Sequence, residues 1–211
     1  MVGMVFMIRL ILILVLISGC GNLPIAYLQN FSSVNDVIFG FPEYEITNEI
    51  YDSYENSFMK IRFGRGPHAI LILAYINDDI YEWVGADDVT IHTYNGRIIR
   101  TTGLTHNIEI KKYREKILPI DNPSFEVINL YNPDLFSGIL KLSFNVKQAK
   151  INKLEDQIFV NKIYEKFSLE SIGWKGTNLY FQNKETQQIE ALEQKIHPRL
   201  PKVKVEYYFK Y

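Results

Sequence analysis

Catalysis or metal binding in this chain would have to start from His68, His92, His106 and His197, or from the acid pairs Asp78-Asp79 and Asp87-Asp88. The histidines are scattered and none forms an i,i+4 pair on a helix, so they predict satisfied or exposed imidazoles rather than a metal site. Both acid pairs fall where turns are expected and outside any calcium-loop pattern, which predicts solvated turn acids rather than hydrolytic carboxylates. Gly64-Arg65-Gly66 lacks the third glycine and the following helix of a dinucleotide fingerprint, and no nucleophile elbow or phosphate loop is present. The expectation is a protein without catalytic residues, metal or cofactor, and not an enzyme. Trp83 and Trp174, with Tyr75 and Arg97, are the candidate binding surface, for stacking sugars or lining an acyl site. The competing and favoured reading of the tryptophans is that they close a β core.

Cys20 is the only cysteine, which excludes an internal disulfide and a cysteine-built metal site. Its position is informative. Arg9 precedes an unbroken apolar run, Leu10 to Ile17, followed by Ser18-Gly19-Cys20. Charged start, short apolar core and small residues before a cut are the parts of a secretory signal. With cysteine at the cut, Ile17-Ser18-Gly19-Cys20 reads as a lipobox, with Ile17 where such signals normally have Leu. Cleavage between Gly19 and Cys20 is expected. The cysteine thiolate is the nucleophile able to take a diacylglyceryl group, and the freed amine can accept a further chain. Two or more chains anchor stably, at about 0.8 kcal/mol per buried CH2. The alternative is a transmembrane helix, but eight apolar residues span only about 12 Å of a core of about 30 Å. Extending that helix back to Met1 places Arg9 mid-span, at high cost. Met1, Met4 and Met7 all offer starts, and Gly21, in place of the Asp that goes with inner-membrane retention, favours sorting to the outer membrane.

Length suits one domain plus a leader, and a content of 47% hydrophobic and 22% charged residues is that of a globular protein rather than a disordered one. Lys and Arg total 23 against 24 Asp and Glu; without the leader's Arg9 the counts are 22 and 24, a net charge near -2. That balance gives no support to nucleic acid binding. Fourteen tyrosines and thirteen phenylalanines suit pleated, half-buried surfaces and lean the expectation toward β structure.

Those side chains must be positioned by strands. Asn22 to Phe39 has Ile25, Leu28, Phe31, Val34 and Ile38 near helical spacing and predicts a helix or tether, ended by Phe41-Pro42. From Phe58 the period changes to two: Met59, Ile61 and Phe63 alternate with Lys60 and Arg62. Further strands are predicted at Ala69–Ile76, Val89–Tyr94, Arg97–Thr101, Phe125–Leu130, Ile139–Val146, Gln157–Phe167, Asn178–Gln182 and Val203–Phe209. Asn95-Gly96 between two of them is a type I′ hairpin signal, because that turn needs two positive φ values. Short strands with turns between them argue an all-β sandwich or barrel. Lys184 to Ile196 has helical composition taken by itself.

Phe58 to Phe63, Ala69 to Ile76 with its closing Ala-Tyr-Ile, Glu82-Trp83-Val84, and Tyr94-Asn95-Gly96-Arg97 through Leu104 together resemble the YjbF/GfcB family. These are lipoproteins of capsule and exopolysaccharide gene clusters. Asn183 to Gln194 is similar to the family's Asp-x-x-Thr-Gly turn and following strand, with Asn183 and Gln187 in place of Asp and Gly. Ser53-Tyr54 stands where members commonly have Pro-Tyr, and Lys202 to Tyr211 looks like the closing strand. The resemblance implies a β-rich half-barrel wrapped around an N-terminal helix, with turn and strand instead of helix over Lys184–Ile196. The expected organisation is a signal peptide over 1–19, a lipidated tether and helix over 20–40, and an antiparallel half-barrel over 41–211.

Two functions follow as expectations. In the first, a non-enzymatic lipoprotein sits on the periplasmic side of the outer membrane through lipid on Cys20. It assists assembly or secretion of capsule or extracellular polysaccharide, docking on an outer-membrane β-barrel partner or on the polymer. In the second, a periplasmic carrier binds an acyl chain or other amphiphile in a half-barrel cavity. A third and weaker reading, polysaccharide modification, requires acids clustered in one groove.

Overall fold

The computed structural model describes residues 41–86, 88–113 and 123–210. The expected leader, tether and N-terminal helix lie outside the described residues, as does Asp87. Phe41–Tyr211 forms one compact unit.

Period-two alternation produces strands almost throughout. They are β1 Phe58–Phe63, β2 His68–Asn77, β3 Ile80–Val84, β4 Thr90–Tyr94, β5 Arg97–Thr102 and β6 Ile108–Lys112. Then come β7 Ser124–Leu130, β8 Leu135–Lys153, β9 Asp156–Leu169, β10 Trp174–Asn183, β11 Ile189–Gln194 and β12 Val203–Tyr208. Each pairs antiparallel with its chain neighbour. The circuit closes where Phe58–Phe63 of β1 pairs with Val203–Tyr208 of β12. The described residues therefore form a closed barrel of 12 strands, which corrects the half-barrel expectation. The all-β expectation holds. Alternation identifies a strand but not its partner. Closure depends on pairing the two ends of the domain, and the ring also includes β3 and β6, which were not predicted from alternation.

A round barrel of eight strands is already just filled by side chains, so twelve would leave a channel. This barrel avoids one by flattening. β5 and β11 stand six strands apart either way round the ring, yet Gln194 Nε2 donates to Ile98 O at 3.0 Å and Ile98 N donates to Gln194 Oε1 at 3.1 Å. Between the walls lie Met59, Trp83, Ile91, Leu142, Ile163, Tyr180 and Tyr207, none measurably exposed. A membrane-spanning barrel reverses this pattern, with apolar residues outside and polar ones within.

Helix is limited, among the described residues, to α1 (Asn48–Ser53) and a 3-10 turn at Glu170–Ile172. Thr47 caps α1, its Oγ1 accepting from Ile50 N at 3.3 Å. The segment leading through α1 covers the outer side of β1. Phe58 stacks on Tyr208 at 4.9 Å and packs tilted against Tyr54 at 4.3 Å. Lys60 donates to Tyr44 O at 2.8 Å, and Arg62 donates to Glu43 at 2.8 Å and to Phe41 O at 2.9 Å. Both cations of the alternating pattern are thus buried rather than solvated.

Candidate functional site

The polar centre of the molecule is built around the β4–β5 hairpin. Asn95 and Gly96 take φ of 48° and 70°, the left-handed pair of a type I′ turn. Glycine is required at position 96 for a second reason: a Cβ there would lie 2.4 Å from Cβ of Ile189 on β11. The hairpin tip thus leans across the barrel, and Tyr207 of β12 donates to Gly96 O at 2.8 Å.

That lean carries Arg97 inside. Its Nη1 donates to Glu126 Oε1 of β7 at 2.5 Å, and its Nη2 lies 3.6 Å from Glu165 Oε1 of β9. Glu165 Oε1 also accepts from Asn178 Nδ2 at 2.7 Å and from Tyr180 OH at 3.2 Å, both on β10. Arg97 is 6% exposed, and Glu126 and Glu165 are each 1%. Burial works against the Arg97 charge, but Glu165 and Glu126 outweigh it and hold the guanidinium firmly protonated. Burial pushes the Glu165 carboxyl up, Arg97 opposes this, and Glu126 adds to it. The Tyr180 hydroxyl is likewise pushed well up by burial and by Glu165, and stays neutral. Two carboxylates meet here, as polysaccharide modification requires, but they are sealed from solvent. The cluster ties β5, β7, β9 and β10 together; it offers no groove to a polymer.

The four candidate surface residues do not share a face. Trp83 is fully buried, donates from Nε1 to Thr93 Oγ1 at 2.9 Å, and packs against Tyr207 at 5.4 Å. Arg97 is inside the ion cluster. Trp174 is half-buried against Phe167, 4.7 Å between ring centroids. Tyr75 stands outside, 68% exposed, beside a bulge between β2 and β3. Asp78 occupies the β2–β3 turn at φ 52°.

Sequence reasoning missed a pair of histidines. His106 and His197 stack with centroids 4.9 Å apart and planes within 9°. His106 hydrogen-bonds Asn132 O through Nδ1, and His197 Nδ1 accepts from Arg199 N at 3.1 Å. Ninety residues of chain separate them, so no local spacing could have paired them. Among the described residues no group of three or more His, Cys, Asp or Glu side chains is placed to hold a metal ion.

A family model described as group 4 capsule polysaccharide lipoprotein gfcB, YjbF matches residues 31–207. The chain belongs to the YjbF/GfcB family. It is 29% identical over 92 residues to the uncharacterized lipoprotein YjbF of Escherichia coli K12, and 22% identical over 92 residues to the uncharacterized lipoprotein GfcB of the same organism. Each match covers 44% of this chain and 42% of the relative's own length. The crystal structure of the hypothetical lipoprotein YmcC from Escherichia coli (K12) superposes with a TM-score of 0.69 at 17% identity, over 91% of this chain and 98% of that one, a likeness of fold.

The departures from the YjbF/GfcB turn at positions 183 and 187 have local explanations. Asn183 Oδ1 accepts from Glu185 N at 2.9 Å and Thr186 N at 3.3 Å, the bonds an Asp would make. Gln187 takes the glycine conformation at φ 62°, and its Nε2 donates to Lys184 O at 2.7 Å. The turn leads into β11, so Lys184–Ile196 is turn and strand, as the resemblance implied.

Proposed function

We propose that this protein is a non-enzymatic accessory lipoprotein of capsule or extracellular polysaccharide assembly or secretion. It is held at the periplasmic side of the outer membrane by lipid on Cys20 and works by docking beside an outer-membrane β-barrel partner. The observation that carries this reading is the contact between opposite walls, Gln194 to Ile98. A barrel closed and flattened in this way has its interior occupied by its own side chains. That removes the open half-barrel cavity of the carrier reading and leaves the rims and outer faces to act. Membership of a family of capsule polysaccharide lipoproteins supports that pathway. The lipobox supplies the tether.

The test is deletion of the gene, followed by measurement of surface and secreted polysaccharide, with complementation by wild type and by Cys20→Ser. Polymer output is expected to fall on deletion and to return with wild type but not with Cys20→Ser. Unchanged output in the deletion strain would overturn the reading.

A further inference from the structure

Strands β8, β9 and β10 present one continuous outer face. Their register sets side chains in rows across the sheet: Lys141–Ser168–Lys175, Ser143–Lys166–Thr177, Asn145–Tyr164–Leu179 and Lys147–Lys162–Phe181. The inward positions between them hold Leu142, Ile163, Glu165, Phe167 and Tyr180, so these rows point out. Five of the twelve outward residues are lysines and none is an acid, in a chain whose total charges are nearly balanced. Lys141, Lys147, Lys166 and Lys175 are exposed and Lys162 is half-buried. Among the described residues no acid pairs with any of the five.

The arrangement costs stability. Lys147 and Lys162 are direct cross-strand partners, and like charges in that relation repel. Rings moderate the cost: Lys147 lies 5.7 Å and Lys162 5.5 Å from the centroid of Tyr164, and Lys162 lies 5.4 Å from that of Phe181. Natural proteins keep local conflicts of this kind chiefly at functional or strained sites. Between Lys141, Lys166 and Lys175 lies a shallow depression of about 440 Å³, whose lining includes Ser143, Ser168 and Thr177. From strand geometry the lysines extend over about 20 Å along the strands and about 10 Å across them. That is an extended shape, suited to a chain rather than to a small ion.

We infer that the outer face of β8–β10 binds an acidic polysaccharide, with Lys141, Lys147, Lys162, Lys166 and Lys175 meeting its repeated negative groups. Ser143, Ser168 and Thr177 supply hydroxyls for sugar hydroxyls, and Tyr164 an apolar ring for a sugar's C–H face. This inference rests on the polysaccharide reading above and names the polymer's charge and the face that meets it. An anionic membrane would meet the same lysines. However, membrane docking favours rings that protrude between the cations; here Tyr164 and Phe181, among the lysines, are half-buried, and the exposed Phe125 stands at the edge of the face, opposite Lys141.

The test uses the full chain in neutral detergent, with polygalacturonate as the acidic glycan, dextran as the neutral one, and phosphatidylglycerol-containing vesicles as the anionic membrane. The variants are Lys141, Lys147, Lys162, Lys166 and Lys175 all →Gln, and a control with Lys112, Lys184 and Lys195 →Gln. Wild type and control are expected to bind polygalacturonate within twofold of each other, with affinity falling as salt rises, and not to bind dextran. The five-lysine variant is expected to lose at least tenfold while keeping its circular dichroism spectrum. Single Lys166→Gln and Lys175→Gln proteins give the same answer, as smaller losses, where the fivefold change disturbs folding. Equal losses in variant and control overturn the inference, as does binding to vesicles without binding to polygalacturonate. A five-lysine variant that binds no glycan yet restores polymer output in the deletion strain overturns this face as the working surface and leaves the family reading standing. Unchanged output on deletion removes that reading itself.

Discussion

Gln194 pairs with Ile98 as one strand pairs with another, although the two residues stand on opposite walls of the barrel. The carboxamide of Gln194 donates to the carbonyl of Ile98 and accepts from its N–H. β5 needs this because its register with β6 is limited to Arg100 opposite Glu109, leaving Ile98 without a strand partner on that side. Gln194→Leu keeps the size and removes both bonds, so two buried backbone groups lose their partners. The expected loss is about 2–4 kcal/mol in denaturant unfolding at an unchanged m-value. A variant within about 0.5 kcal/mol of wild type would show that the two walls are not held by this amide.

Arg97 is the second link between the walls, and its loss is expected to be worse than a lost contact. Arg97→Met leaves Glu126 and Glu165 buried without their cation, an imbalance that typically costs about 3–5 kcal/mol. Lysine does not restore the fork that reaches two carboxylates. The pH dependence identifies the cause. Without Arg97, burial holds the Glu165 carboxyl above its unfolded pKa, so the folded state binds more protons than the unfolded state. Stability of Arg97→Met is therefore expected to rise as pH falls toward about 5. Adding Glu126→Gln and Glu165→Gln to Arg97→Met should abolish that rise in thermal unfolding curves recorded across the same pH range.

These two links show where the sequence was legible and where it was not. Asn95-Gly96 announced its turn, because two positive φ values are a local demand. Phe58–Phe63 announced its strand for a similar reason. What Gly96 leans on, Ile189, lies more than ninety residues away, and nothing in either neighbourhood records the contact. The same holds for the closing pair β1 and β12, and for His106 on His197. Arg97, a member of the candidate binding surface, is instead 6% exposed. Its acids, Glu126 and Glu165, sit at inward positions of strands that read as ordinary alternation. The lysine face was hidden for the converse reason: each lysine occupies an unremarkable outward position, and only the register of three strands brings five together.

Gln187 holds a left-handed conformation, φ 62°, that costs a residue with a Cβ about 1–2 kcal/mol relative to glycine. Its side-chain bond to Lys184 O is exposed and recovers part of that. Gln187→Gly, the residue typical of the family, is expected to stabilise the protein by about 0.5–1 kcal/mol. Gln187→Ala keeps the strain, loses the bond and is expected to destabilise. If glycine and alanine fell on the same side of wild type by denaturant midpoint, backbone strain at this turn would not be the operative term.

His197 makes the wild-type barrel sensitive to acid. It is 1% exposed, and burial, then neighbouring His106 and Arg199, lower its pKa from 6.5 to about 4. Geometry agrees: Nδ1 accepts from Arg199 N, so a proton placed there would set a donor against a donor. A histidine whose folded pKa lies below its unfolded one contributes stability that is complete above pH 6.5 and is lost as pH falls toward about 4. Across that window the unfolded chain binds the extra proton, and stability is expected to fall with a slope approaching about 1.4 kcal/mol per pH unit. His68 and His92, both lowered by burial, act in the same direction. His197→Asn places an oxygen near Nδ1, keeps an acceptor for Arg199 N and cannot titrate. Its unfolding free energy, measured by urea titration at a series of pH values, is expected to decline less steeply than wild type between about pH 6.5 and 4, and the difference curve isolates His197. Parallel pH profiles for the two proteins would place the acid sensitivity elsewhere in the barrel.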